Sequence, residues 1–552
     1  MSSSDASSNA ASPSTPRPVI YLTGDSLTQR GTDLDNAGWA ALMQHRYNRS
    51  ADIVSRGLSG YNTKWFIESA LPVIERELST EGRSPSLITL WLGANDAALP
   101  DSYAARQHVP LATYKKNLAK IVRTYQTIAP QAQILLITPP HVDDAVRKSR
   151  SSDGRAERTN ATAGEYAQAC VEVAGQLNVN VLDLHSFFNA MPESERAACL
   201  DDGLHFTAKG NRLVDEQLQA KIRDAFPGLV KQLETWQLPD FHVWMDAGIV
   251  HAARVILSFA LTRSPHRFPT GFPFSFLRLM ASTRVTLRRL VPVAVTVAAV
   301  CLASYLGAWD QALRVIRGGP AQTRPVLLLI GDSLTEHGVN PDKSGWVTLL
   351  QNRYQRSADV LPRGLSGYNT RWFIEYALPV IKRELSSDRI SPSLITLWLG
   401  ANDAALADGP SARQHVPVDI YATNLEAIIN ILRASAPGAG ILVITPPHVD
   451  DAARRQRSKT GRLDRSTAMA GVYARVCVET AKKLDLPVLD LYSLFSSMPA
   501  RERTRCLEDG LHLSAWGNQL MAGLLRAKVE AAFPALASRL KVWEIPNWDR
   551  LP

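Results

Sequence analysis

Cysteine is scarce in this chain. Its 552 residues hold five, Cys170, Cys199, Cys301, Cys477 and Cys506. An odd number at this density excludes a disulfide framework as the basis of the fold. The residues read as small, buried and apolar, with one bridge per copy of the repeat described below left open. Charge is also sparse, at 20% of residues, and its excess of +9 is misplaced for a nucleic-acid binder. Residues 241–325 carry ten Arg against two Asp, which leaves +1 for everything else. Those remaining parts show no basic stripe interleaved with aromatics, so no nucleic-acid partner is expected. The first 17 residues, rich in Ser, Ala, Pro and Asn, lack an apolar run. They read as a disordered tail without an export signal. Also missing are a Gly-x-Ser-x-Gly elbow, a His-Glu-x-x-His helix and a P-loop.

What is present is a short stretch that occurs twice. Gly24-Asp25-Ser26-Leu27-Thr28 returns as Gly331-Asp332-Ser333-Leu334-Thr335, 307 positions later. An apolar run leads into each, Val19-Ile20-Tyr21-Leu22 and Val326-Leu327-Leu328-Leu329-Ile330. A buried strand thus ends at a glycine and an acidic residue, with a serine just beyond. Open α/β sheets expose reactive groups there, outside the carboxyl ends of the strands.

From Pro18 onward strand-like runs (19–23, 52–55, 87–92, 134–138, 179–184) alternate with helical patterns. Trp39-Ala40-Leu42-Met43-Tyr47, Trp65-Phe66-Ile67-Leu71-Ile74 and Leu118-Ile121-Val122-Tyr125-Ile128 have 3.6-residue spacing. Strand and helix in alternation predict βαβ units and a parallel sheet covered on both faces. Five strands in such a length fit a flavodoxin-like, three-layer α/β/α domain. The same order recurs at the offset of 307, as in Trp39 and Trp346, or Trp236 and Trp543. So long a period means two tandem domains and not a solenoid. The predicted layout is a tail at 1–17, one domain at 18–240, a basic linker at 241–324, and a second domain at 325–552. Within the linker, Leu290 to Trp309 is twenty residues with no charge before Asp310. That length can span a bilayer, so membrane association through 290–309 is an expectation. The Arg excess on its N-terminal side would leave the first domain cytoplasmic.

A serine at a strand end needs a base. Among twelve His, His108, His141 and His205 recur at the offset, and only His205 has a carboxylate at a productive spacing, in Asp202-Gly203-Leu204-His205. Its counterpart is Asp509-Gly510-Leu511-His512. An acid three residues ahead on a tight loop can bond Nδ1–H and leave Nε2 facing the serine. Oxyanion donors are expected from Gly60 and Asn95, each just past a strand, and from Gly367 and Asn402 in the second copy. His141 with Asp143 and Asp144 lacks a third ligand group, so no metal site is expected.

The order Gly-Asp-Ser-Leu, then Gly, then Gly-x-Asn-Asp, then Asp-x-x-His resembles the SGNH (GDSL) hydrolases, over about 220 residues of each copy. Arg56-Gly57-Leu58-Ser59-Gly60-Tyr61-Asn62-Thr63, with Asn95-Asp96-Ala97-Ala98-Leu99 and Arg106-Gln107-His108-Val109-Pro110, resembles the isoamyl acetate-hydrolysing esterases within them. The resemblance implies a flavodoxin-like fold, a small-molecule ester as substrate, and no cofactor. By position it makes Ser26 and Ser333 nucleophiles, His205 and His512 bases, and Asp202 and Asp509 their orienting acids. Gly60, Asn95, Gly367 and Asn402 complete the oxyanion holes. Thr-Pro-Pro-His at 138–141 and 445–448 departs from the further proline expected in that family. His141 and His448 are therefore expected to line the acyl or alcohol pocket. The alternatives on the same fold are a carbohydrate O-acetylesterase and a lysophospholipase; outside enzymes, the alternative is that one domain only binds. Loop residues beside the serines differ between copies, Gln29-Arg30 becoming Glu336-His337, so different substrate ranges are expected.

Overall fold

The computed structural model describes residues 16–80, 84–151, 154–238, 240–241, 323–387 and 390–551. Each copy is built on a five-stranded parallel sheet. In the first the strands are β1 (Val19–Gly24), β2 (Asp52–Gly57), β3 (Leu87–Trp91), β4 (Gln133–Ile137) and β5 (Asn180–Leu182), ordered β2-β1-β3-β4-β5. In the second they are β6 (Val326–Gly331), β7 (Asp359–Gly364), β8 (Leu394–Trp398), β9 (Gly440–Ile444) and β10 (Val488–Leu489), ordered β10-β9-β8-β6-β7. Both are the flavodoxin-like order expected from the sequence.

The two-residue period of a strand sends alternate side chains to opposite faces. On β1, Ile20 and Leu22 join a core with Trp39, Met43, Val214 and Leu218, under the helices Trp39–Arg46 and Ala208–Ala225. Tyr21 joins the opposite core with Ile74, Leu118, Ile121 and Tyr166, under the helices Leu71–Thr80, Leu111–Ile128 and Asn160–Leu177. Cys170 and Cys199 lie in these opposite cores and are free thiols, as are Cys477 and Cys506. The open question of one bridge per copy is thereby answered.

Two local readings are corrected. The helix expected across Trp65–Ile74 contains a π-helical turn, Phe66–Ala70, in which the Leu71 N–H reaches back to Phe66 O. Pro72, which has no N–H to donate, follows it directly. The strand expected at 179–184 is only Asn180–Leu182. Asn178, at φ 52°, ends the helix before it, and the Asp183 carboxylate caps the helix after it. Arg17, read as tail, donates to Asp52 at 2.9 Å, and Arg324, read as linker, donates to Asp359 at 3.1 Å. The stretch 290–309 lies outside the described residues. Among those described, no helix is long and apolar enough to cross a membrane.

Both copies belong to one compact unit. The edge strands β2 and β7 exchange ion pairs. Arg56 donates to both oxygens of Asp359, at 2.7 and 3.1 Å, and Arg363 to both oxygens of Asp52, at 2.8 and 2.9 Å. Residue i thus meets j while j meets i, the signature of a two-fold, isologous contact. Glu77 and Glu384 add a second carboxylate to Arg56 and Arg363. All four paired groups are buried. The Arg363 and Arg17 cations hold the Asp52 carboxyl below its ordinary pKa in spite of burial.

Removing one partner of such a pair strands buried charge. Asp52→Asn takes the carboxylate from Arg17 and leaves Arg363 with Glu384 alone, and is expected to lower stability by about 3–5 kcal/mol. Chemical denaturation of the full-length chain measures it; a loss within about 1 kcal/mol would mean that the pairs behave as surface ones.

Candidate functional site

Ser26 opens a short helix, Ser26–Gln29, directly after β1. The Asp25 carboxylate caps that helix by accepting from the Leu27 N–H at 2.9 Å. The turn is tight enough to demand glycine at its entrance. A Cβ on Gly24 would lie 2.3 Å from Thr28 Oγ1 and 2.5 Å from Trp91 O. The register puts Gly24 opposite Gly57 on one side and Trp91 on the other. The chain segments after β1, β2 and β3 therefore leave the sheet at one level.

His205 arrives from the far end of the copy. Its Nε2 is 2.8 Å from Ser26 Oγ and its Nδ1 is 2.7 Å from Asp202 Oδ2. The other Asp202 oxygen accepts from the Leu204 and His205 N–H groups at 3.0 and 2.8 Å. These bonds, the His205 side chain foremost, draw the Asp202 carboxyl well below its usual pKa even though burial acts against them. Burial in turn lowers the pKa of His205, with Asp202 opposing. A neutral imidazole that donates from Nδ1 leaves Nε2 free to accept the serine proton. The second copy repeats the geometry: His512 Nε2 is 2.9 Å from Ser333 Oγ, and Nδ1 is 2.8 Å from Asp509 Oδ2.

The expected donors stand beside the serine's strand. Gly60 has φ +80° and Gly367 φ +79°, a left-handed conformation that disfavours any side chain. The Gly60 carbonyl accepts from Gln107 Nε2 at 3.0 Å. Asn95 shows a fixed orientation. Arg158, which can only donate, bonds its Oδ1 at 2.9 Å, so the amide NH₂ must face the other way, where it donates to Tyr61 O at 2.9 Å. Gln414, Arg465 and Asn402 repeat these contacts.

Sequence reasoning missed Arg158 and Arg465. Each is buried and also bonds the glutamine that holds the glycine carbonyl. The signal was available, since both arginines fall at the offset of 307. His141 and His448 are not brought against the triads by any hydrogen bond among the described residues. His141 Nδ1 pairs with Asn189 Oδ1 at 2.9 Å, and His448 Nδ1 with Thr467 Oγ1 at 2.6 Å. Burial lowers the pKa of both rings. Next to the triads the copies differ. Arg30 is 3.9 Å from Asp202, whereas its counterpart His337 packs against the His512 ring with centroids 4.5 Å apart. Among the described residues no cluster of His, Cys, Asp and Glu is arranged to hold a metal ion.

Beneath the site are carboxyls deprived of water. Burial pushes Asp25, Asp96 and Asp332 up to about 7, and Asp403 up to about 6. A folded-state pKa above the unfolded value of about 3.9 means that the native protein holds the extra protons. Their stabilisation is full below about pH 4 and is lost as the pH rises through about 7. Asp25→Asn keeps the acceptor for Leu27 N–H but removes the titration. Its stability relative to the parent is therefore expected to improve steadily from pH 4 to pH 8 in a series of denaturation curves. A difference independent of pH would contradict this.

The GDSL-like Lipase/Acylhydrolase family model matches the sequence twice, at residues 22–213 and 329–520. A GDSL esterase/lipase of Arabidopsis thaliana is 40% identical over 215 residues, covering 38% of this chain and 87% of the relative. The mouse isoamyl acetate-hydrolyzing esterase 1 homolog is 35% identical over 233 residues, 42% of this chain and 89% of the relative. A solved lipase/acylhydrolase from Enterococcus faecalis is 25% identical, covers 38% of this chain and 96% of that one, and has a TM-score of 0.29.

Proposed function

The chain belongs to the GDSL-like lipase/acylhydrolase family and is a carboxylic ester hydrolase, and from that premise we propose that both copies are serine esterases for short-chain, acetate-type esters. The observation that carries this is the chain of contacts from Asp202 through His205 to Ser26, repeated from Asp509 through His512 to Ser333.

In this reading His205 takes the Ser26 hydroxyl proton as Oγ attacks the ester carbonyl carbon. The π electrons of the carbonyl move onto its oxygen. The negative oxygen is met by the N–H groups of Ser26 and Gly60 and by the side-chain amide of Asn95. Arg158 contributes by keeping the Asn95 oxygen turned away from it. As the tetrahedral species collapses, the C–O bond to the alcohol breaks and the alcohol leaves with the proton from His205. Water, deprotonated by the same ring, then attacks the acyl-serine, and Ser26 recovers its proton as the acid departs. Asp202 stays ionised throughout and stabilises the imidazolium. Ser333, His512, Asp509, Gly367 and Asn402 take the same parts in the second copy. His141 and His448 line the acyl or alcohol side of the pockets. Their different partners, Asn189 and Thr467, make the two pockets unlike. The acetate preference rests on the likeness to the isoamyl acetate-hydrolyzing esterase homologs.

Two experiments test this. Ser26→Ala and Ser333→Ala should each leave one fluorophosphonate-reactive site and part of the hydrolysis of p-nitrophenyl acetate, and the double variant should have neither. If one single change removes all turnover, only one copy is an enzyme. In the Ser333→Ala chain the rate should rise with pH to a plateau, with its midpoint below the ordinary histidine value of about 6.5, because burial lowers His205. Adding Asp202→Asn to that chain should reduce kcat by roughly 10³–10⁴. A loss under tenfold would remove Asp202 from its role.

A further inference from the structure

The two glycine loops are braced from outside the copy that contains them. A Cβ placed on Gly60 would lie 2.2 Å from Trp548 Cδ1, although Trp548 belongs to the end of the second copy. The indole fills the space where a side chain at position 60 would be. It packs on Trp65 with ring centroids 6.2 Å apart. Nearby, the Tyr61 hydroxyl donates to Pro546 O at 2.7 Å. Ile545 and Leu551 are buried in the same core as Tyr61 and Trp65. Arg356, also of the second copy, closes the arrangement. It donates to Ile545 O and Pro546 O, both at 2.9 Å, and to Gln29 Oε1 at 3.1 Å. Gln29, three residues after Ser26, accepts the Ser59 N–H on the same oxygen at 2.9 Å.

The reciprocal contact exists with different chemistry. A Cβ on Gly367 would lie 2.2 Å from Phe241 Cδ1 of the first copy, and Phe241 stacks on Trp372. Arg49 of the first copy donates to both oxygens of Glu336, at 2.7 and 2.8 Å. Glu336 occupies the place of Gln29 and accepts the Ser366 N–H at 2.6 Å. An arginine-to-amide hydrogen bond at one site is thus an ion pair at the other.

We propose that Trp548 and Arg356 are positioning residues for the Ser26 site, and Phe241 and Arg49 for the Ser333 site, each pair fixing the glycine amide that faces the reacting oxygen. This rests on the esterase reading above. A glycine at positive φ has no side chain to anchor it, and an oxyanion donor works only if it is already in place when charge develops. Displacement of about 1 Å from that place can cost on the order of 100-fold. Each site therefore draws its rigidity from the other copy, and neither copy alone holds a complete site.

The test uses the full-length chain in the two single-serine backgrounds. In Ser333→Ala, where Ser26 alone turns over, Trp548→Ala should lower kcat for p-nitrophenyl acetate about 10–100-fold with little change in KM, and Trp548→Phe should recover most of it. In Ser26→Ala, Trp548→Ala should leave the Ser333 site unchanged, and Phe241→Ala should give the mirror-image pattern. Amide hydrogen exchange across 58–61 should accelerate in Trp548→Ala, even in a chain lacking both serines. Equal losses at both sites, loss confined to the Ser333 site, or a change only in KM and acyl preference would overturn the proposal. So would unchanged exchange. If the Ser26 site shows no turnover before Trp548 is touched, the esterase reading fails by itself, and exchange alone decides the brace.

Discussion

Everything at the candidate site depends on strand register. Gly24 is paired at once with Gly57 and Trp91, and Gly331 with Gly364 and Trp398. A parallel sheet in the order 2-1-3 makes the central strand the one whose neighbours leave on either side, and the crevice forms there. Because three strands end at the same level, a serine, a left-handed glycine and an asparagine stand at one sheet edge with only one to three residues between strand and group. A slip of one residue in β1 would turn Ile20 and Leu22 away from their core and Ser26 away from His205 together. The apolar pattern that fixes the fold is therefore also what aims the chemistry.

The sequence made most of this legible because the relevant signals are local. Apolar runs of strand length, helical spacing and an acid three residues before a histidine need no knowledge of the rest of the chain. What could not be read was held by contacts between residues 35 to 63 positions apart. Arg17 looked like the end of a polar tail and Arg324 like part of a basic linker, since nothing beside either calls for a buried cation. Their purpose lies in Asp52 and Asp359. Arg158 was hidden in the same way, its partner being an asparagine 63 residues away. One indirect clue was present. Arg17 and Arg324, like Phe241 and Trp548, stand 307 apart, so the repeat runs past the limits that composition suggested.

The contacts between the copies follow the logic of a symmetric dimer. The pairing of Arg56 with Asp359 and of Arg363 with Asp52 is self-complementary, and one surface patch serves both partners. Joining the halves has one consequence that a homodimer cannot have: the two sides of the interface can change independently. In a homodimer, altering a brace alters it at both sites. Here Trp548 faces Phe241 across the pseudo-symmetry, Gln29 faces Glu336, and Arg30 faces His337.

These three substitutions lie beside the glycine loops and the Ser-His-Asp contacts. Position 29 or 336 touches the glycine loop through Ser59 or Ser366 N–H. Position 30 or 337 borders the acid or the ring of the triad. Position 548 or 241 lies against the glycine itself. The strand ends, the capping aspartates and the triads are meanwhile retained in both copies. A residue that shapes one site while lying in the other half ties the two together: neither site can change its brace without a change in the domain that carries the other serine. The differences between the copies at positions 29, 336, 241 and 548 thus lie where one copy meets the other.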